Sequence, residues 1–330
     1  MNIYSCVDGN NIDKIIILFN SVFLNTKCQD SLKFYLLVDF IPEELPYIPN
    51  HLKEILIIRK LKIDNRWKEL LKNFNEHFYK QSSWCNNNMN FARFLFFKNF
   101  PEVDRVIYLD WDMIVLADIF EIKEEYNNFK KIVIAECGNQ NIINNIFKTE
   151  FIMKKDYLAI ISRNKNILKT HQIPKVLNFL NINYNDVLKN NGFNAGFYIV
   201  SNIHFEEEYL INLISNLINV QKKLNCFNFG TQVVMNLMHV DNRLFIDKIW
   251  NHLPNLNDNS KLKIIHWNGK DKPWKNKEYS SKIWFEYCNI IYPNFSIKSK
   301  KENKNLVSEN TLKSNKKLIN NPLIIHLMKK

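Results

Sequence analysis

Three side chains in this sequence have the types and spacing to hold a cation. Asp110 and Asp112, separated by Trp111, end the apolar run Val106–Leu109 and precede a second apolar run. His266 closes the run "KLKII" far downstream. In an extended chain, residues two apart point to the same face, so both carboxylates can approach one ion. Bare carboxylates that close repel and raise a pKa, and a bound cation removes that penalty. Acid pairs two apart are also common on solvated surfaces, and a histidine at a strand end often serves as a hydrogen-bonded structural group. The residues alone leave both readings open. Absences sharpen the choice. The chain has only six glycines, and none falls in GxGxxG, GxxxxGK[ST] or GxSxG; HExxH is missing too. Without a glycine-rich cradle, a phosphorylated ligand must be neutralised otherwise, and a carboxylate-held divalent cation is the usual substitute.

Such residues need a frame. Short apolar runs at "NIYSCVD", "KFYLLVD", "EILIIRK", "RVIYLD", "KIVIAEC", "GFYIVS" and "KLKIIHWNG" mostly do not alternate, as expected for strands covered on both faces. Stretches with helical spacing lie between them: Asn11–Leu24, Asp64–Asn75 and Phe91–Phe100. This order predicts a Rossmann-like, mostly parallel α/β sheet with helices on both faces. Ligands of such sheets gather beyond the carboxyl ends of the strands. Asp8, Asp110 and His266 each follow a strand run, so three parallel neighbours would bring them to one edge. One domain is expected over residues 1–295, with an Asn/Lys/Ile-rich helical insertion at 139–190 that could serve the acceptor.

The 330 residues carry a formal charge of +12. Residues 296–330 hold nine Lys against two Glu, so +7 belongs to this tail and +5 to the rest. The tail is low-complexity and polar and ends in "LINNPLIIHLMKK"; it suits either an anionic surface or a solvated end. The six cysteines are scattered singly, without a CxxC pair, which fits a reducing compartment better than a disulfide scaffold. The opening "MNIYSCVDGN" lacks a secretory pattern, and no apolar run approaches the roughly 20 residues of a membrane span, so a cytoplasmic protein is expected.

"FARFLFFKNFPEVDRVIYLDWDMIVLADI", "FNAGFYIVS", "FGTQVVMN" and "HWNGKDKPW" occur in that order after "MNIYSCVDGNN". Together they resemble glycosyltransferase family 8, retaining enzymes of the GT-A fold. The likeness runs from Met1 to about Trp274, leaving out 139–190 and the tail. It implies that Asp110 and Asp112, flanking Trp111, hold manganese, or magnesium in its place, with His266 as third protein ligand. It implies further that Lys272 meets the nucleotide diphosphate, with Pro273 and Trp274 as packing support. Asp8 and Asn10 sit where uracil and ribose are recognised. Arg93 matches an arginine that contacts the donor sugar; Asn194 and Gln232 match residues lining that sugar, Gln232 under its anomeric face. Ala195, Thr231 and Gly269 lie within the same motifs and are placed with the donor-binding residues.

Three departures stand out. Asn11 occupies the place of an aromatic that stacks on uracil, which removes on the order of 1 kcal/mol of base binding unless another ring substitutes. Thr231 stands where the family has an aspartate that holds donor-sugar hydroxyls. The family's acid after "KIVIAEC" has no clear counterpart here, Glu136 being one candidate. The resemblance implies transfer of glucose or galactose from a UDP-sugar to an oligosaccharide or lipid-linked saccharide such as lipooligosaccharide. The tail would then rest on the anionic inner face of the cytoplasmic membrane. A catalytically degenerate UDP-sugar-binding protein is the main alternative. Nucleic acid is not expected as a partner, because the lysines concentrate in the tail and no binding module is recognised.

Overall fold

Ile-, Leu-, Val- and Tyr-rich runs make the strands here because their branched and aromatic side chains pack on both faces of a pleated surface. In the computed structural model, residues 1–78, 89–128, 130–135, 173–189, 192–227, 230–254, 262–269, 271–275, 281–293 and 295 are described. Nine strands occur among them: β1 Asn2–Val7, β2 Lys33–Val38, β3 Leu56–Lys60, β4 Arg105–Leu109, β5 Met113–Val115, β6 Ile132–Ala135, β7 Phe197–Ser201, β8 Arg243–Ile246 and β9 Ile264–His266. Seven form one sheet in the order β3-β2-β1-β4-β7-β6-β8. Strands β3, β2, β1 and β4 are parallel, β7 runs antiparallel to β4 and β6, and β6 is parallel to β8. The sheet is therefore mostly parallel, as expected.

Two buried clusters cover its faces. Tyr4, Tyr108 and Tyr198 belong to one, with side chains of the helices Asn65–Phe78, Glu207–Leu224 and Gly230–Met238. Ile3, Ile107 and Ile199 belong to the other, with the helices Ile12–Asn25 and Lys282–Ile291. Successive strand residues thus alternate between two cores, which is why the strand runs read as continuously apolar. The chain steps outward from β1 to β3 and then returns to place β4 on the other side of β1. That reversal is the crevice in which doubly wound sheets bind ligands.

Several expectations are corrected in detail. β9 is no neighbour of β1 and β4; it pairs antiparallel with β5 in a separate two-stranded ribbon, Met113 opposite His266. Residues 110–112 form a turn into β5 rather than extended strand. The expected helix Phe91–Phe100 is broken into Met89–Ala92, a 3₁₀ turn Arg93–Leu95 and Phe96–Asn99. This segment is apolar nearly all round and buried, so packing rather than an amphipathic stripe sets its path. β5 and β8 are short and lie outside the seven runs read as strands from the sequence.

Of residues 139–190, the described part contains the helices Ile173–Phe179 and Tyr184–Lys189. Glu136 and the tail at 296–330 lie outside the described residues. Among the described residues, no helix is long and apolar enough to cross a membrane.

Candidate active site

Asp110 leaves β4 at the crevice, and its backbone N–H donates to the Gly196 carbonyl at 2.8 Å. The β5–β9 ribbon then folds back so that the Trp267 N–H donates to the Asp112 carbonyl at 3.0 Å. This backbone register brings His266 against both aspartates. One ligand atom from each of Asp110, Asp112 and His266 lies within 4.8 Å of the others. His266 Nε2 is 3.2 Å from Asp112 Oδ1 and 3.8 Å from an Asp110 carboxylate oxygen. The route of convergence is a ribbon, where parallel strands had been expected.

Each of the three ligands is held by its other polar atom. Asp110 Oδ1 accepts from the Tyr108 hydroxyl at 2.6 Å and from Arg93 at 3.2 Å. Asp112 Oδ2 pairs with the Lys272 ammonium, which also donates to the Trp267 carbonyl at 3.1 Å. His266 Nδ1 lies 2.8 Å from Asn251 Oδ1. An amide oxygen can only accept, so Nδ1 is the donor there, and Nε2 faces Asp112 as the ring's second site for a proton or a cation. What remains is telling: Asp112 Oδ1 and His266 Nε2 are buried, face each other and have no hydrogen-bond partner. Native interiors rarely leave such atoms unmatched.

A divalent cation would satisfy both atoms. Two carboxylates and one imidazole, each braced behind the ligand atom, are a donor set suited to a divalent cation. Burial alone would raise the Asp112 carboxyl, but His266 and Lys272 outweigh it and hold the group well below the usual carboxylate range. Asp112 is thus charged and ready to ligate at neutral pH.

Of the other predicted residues, Arg93 bonds Asp110 directly, and Asn194 and Gln232 connect to His266 through Asn251. Gln232 and Thr231 occupy the first turn of the helix Gly230–Met238; Thr231 is buried. Asn194 Nδ2 donates to Gln232 Oε1 at 3.4 Å, while Asn194 Oδ1 accepts from Gly196 N at 2.8 Å and from Asn251 Nδ2 at 3.3 Å. A chain of amides therefore runs from His266 through Asn251 and Asn194 to Gln232. Arg93 is buried, only 6% exposed; besides Asp110 it binds the carbonyls of Ala195 and Asn90, and it lies over the Tyr108 ring. Its donors thus brace Asp110.

Trp111 packs on Trp274, with ring centroids 4.7 Å apart. Gly269 adopts φ +99°, a left-handed conformation that suits glycine, in the turn that returns Lys272 to Asp112. Asp8 and Asn10 lie in the turn after β1; the β1–β4 register, Tyr4 opposite Tyr108, carries Asp8 to the same sheet edge as Asp110 and Asp112.

Sequence reasoning missed Gly196, Asn251 and Tyr108. A Cβ on Gly196 would lie 2.4 Å from His266 Cε1, 2.8 Å from Asn194 Oδ1 and 2.9 Å from Asp110 Oδ2. A lone glycine just before a strand signals such close approach, and "NAGF" contained that signal. Nothing in the sequence around Asn251 marked it.

The model of glycosyl transferase family 8 matches residues 2–278. Glycosyltransferase GlyF of Streptococcus pneumoniae serotype 4 is 24% identical over 115 residues, 31% of this chain and 28% of GlyF, so the match spans well under half of that relative. Two solved structures share the fold. Galactosyltransferase LgtC, crystallised with donor and acceptor sugar analogues, has a TM-score of 0.57 at 12% identity and covers 88% of this chain and 96% of its own. The bifunctional glycosyltransferase WbbM has a TM-score of 0.53 at 14% identity and covers 100% of this chain and 51% of its own.

Proposed function

Since the chain belongs to glycosyltransferase family 8, we propose that it moves a hexose, glucose or galactose, from a UDP-sugar to a saccharide acceptor with retention of configuration. The proposed acceptor is a lipid-linked saccharide of the lipooligosaccharide kind. Support comes above all from the convergence of Asp110, Asp112 and His266, with the Lys272 ammonium beside them. A GT-A glycosyltransferase uses a divalent metal and a nucleotide sugar, and this cluster supplies the donor set for the metal. When bound, the cation provides Lewis-acid charge against the negative charge that builds on a departing diphosphate.

The chain's own groups do the rest. Lys272 adds a positive contact where that charge develops. Gln232, oriented through its Oε1 by Asn194, lies beneath the anomeric carbon and stabilises positive character there. An amide is a poor nucleophile, so the acceptor hydroxyl enters on the face from which the diphosphate leaves. Trapping a covalent sugar adduct on any residue would reject this route. The direct test of function is UDP release with manganese across UDP-glucose, UDP-galactose and their N-acetyl forms. UDP binding with no release from any donor and acceptor would identify a degenerate binding protein instead.

Lys272 gives a prediction with two opposite signs. Its ammonium shares Asp112 with the cation, so Lys272→Met should tighten manganese binding to the nucleotide-free protein. The same change removes a charged contact to the diphosphate and should weaken UDP binding about 10- to 100-fold, the range for a hydrogen bond to a charged group. Calorimetric titration of each ligand separates the effects. If both affinities fall together, Lys272 is scaffold only.

A further inference from the structure

At the carboxyl ends of β1 and β2 one aspartate ties two backbones together. Asp39 Oδ1 accepts from the Gly9 N–H at 2.8 Å and from the Phe40 N–H at 2.9 Å. Phe40 is thereby seated on Gly9: a Cβ on that glycine would lie 2.4 Å from the Phe40 carbonyl oxygen and 2.9 Å from its ring. The ring is fixed on one side, and Phe40 is still 37% exposed.

Beside it stands Asp8, whose carboxylate is oriented by Asn11 Nδ2 at 2.8 and 2.7 Å and by the Asn10 N–H at 3.2 Å. The Asn10 side chain is exposed. An anchored aromatic ring, an aimed acceptor and a free amide thus sit together on the ligand-binding edge of the sheet. Their complement is a planar heterocycle with an N–H on its edge and a polar substituent. Ile41, Leu45 and Tyr47 of the same loop are also exposed, so exposure alone does not single out Phe40; its seat on Gly9, next to Asp8, does.

We infer that Phe40 forms the stacking surface for the nucleobase of the donor. This rests on the nucleotide-sugar reading above. Asn11 has no ring and its amide is spent on Asp8, whereas the loop after β2 brings the Phe40 ring against Gly9.

The test titrates the full chain, in manganese, with UDP, the other nucleoside diphosphates and inorganic pyrophosphate. Phe40→Ala should weaken UDP about fivefold, the worth of one aromatic stacking contact. Pyrophosphate affinity should stay at the wild-type value, which also shows that the variant folds. Phe40→Trp should retain UDP affinity. Unchanged UDP affinity in Phe40→Ala, or an equal loss for pyrophosphate, overturns the inference. If the wild type prefers another nucleoside diphosphate, and Phe40→Ala loses affinity for that one, the uridine reading fails and Phe40 stands. A wild type that binds pyrophosphate as tightly as every nucleoside diphosphate overturns Phe40 and leaves the metal–diphosphate site intact.

Discussion

Asp112→Asn will abolish divalent-cation binding and cut sugar transfer by about 10³-fold, the scale seen when one preorganised charge-stabilising group is removed. The substitution keeps shape and removes charge. Oδ1, the ligand atom facing His266 Nε2 at 3.2 Å, becomes half of a neutral amide, and the site drops from two carboxylates to one. Loss of an outer-shell partner typically costs about 10–100-fold in metal affinity; loss of this inner ligand will exceed that. Manganese EPR reads the affinity directly, independent of turnover. The variant also isolates a pH effect in metal-free protein. The Asp112 pKa is lower folded than unfolded, so its stabilisation is present above the ordinary carboxylate range and is lost as pH falls through the folded value. Thermal melts of the wild type should therefore lose stability on the acid limb more steeply than those of Asp112→Asn. Wild-type manganese affinity in the variant would remove Asp112 from the site.

Much of this site was legible because its chemistry is carried by residue types. Two acids after an apolar strand and a histidine after another are costly unless something positive sits between them, and that reasoning needs no coordinates. The sheet was legible for a related reason, since strands covered on both faces leave continuous apolar runs. What the sequence could not convey was path. Met113–Val115 and Ile264–His266 are three residues each, too short for any periodicity to assign. Their antiparallel ribbon nevertheless decides where His266 sits. Arg93 was legible only through the family motif: by residue type alone, an arginine in a phenylalanine-rich helix reads as surface, yet here the break at Arg93–Leu95 accompanies a buried guanidinium that reaches Asp110 and the Ala195 carbonyl. Asn251 illustrates the limit most clearly. It lies fifteen residues before His266, and only the pairing of two chain segments gives it a role.

Gly196→Ala will disable the metal site without replacing any ligand. The added methyl must find room between His266 Cε1, Asn194 Oδ1 and Asp110 Oδ2, all nearer than 3 Å to where it would stand. None of the three can retreat cheaply. His266 is 1% exposed and held by Asn251; the short Asp110 and Asn194 side chains are anchored by Tyr108, Arg93 and the Gly196 backbone itself. Overpacking of this kind costs about 1–3 kcal/mol, or roughly 2–5 °C in Tm for a domain of this size. The larger effect falls on function, because the displaced groups are two of three ligands and the amide that meets Gln232. Manganese affinity should fall at least tenfold. Asn251→Ala, which frees the His266 tautomer without crowding it, should lower manganese affinity by about 10–100-fold at a smaller cost in Tm. The pair distinguishes displaced ligands from a misoriented one. If Gly196→Ala binds manganese like the wild type while its Tm falls, the glycine serves packing alone and the three side chains do not meet around one ion.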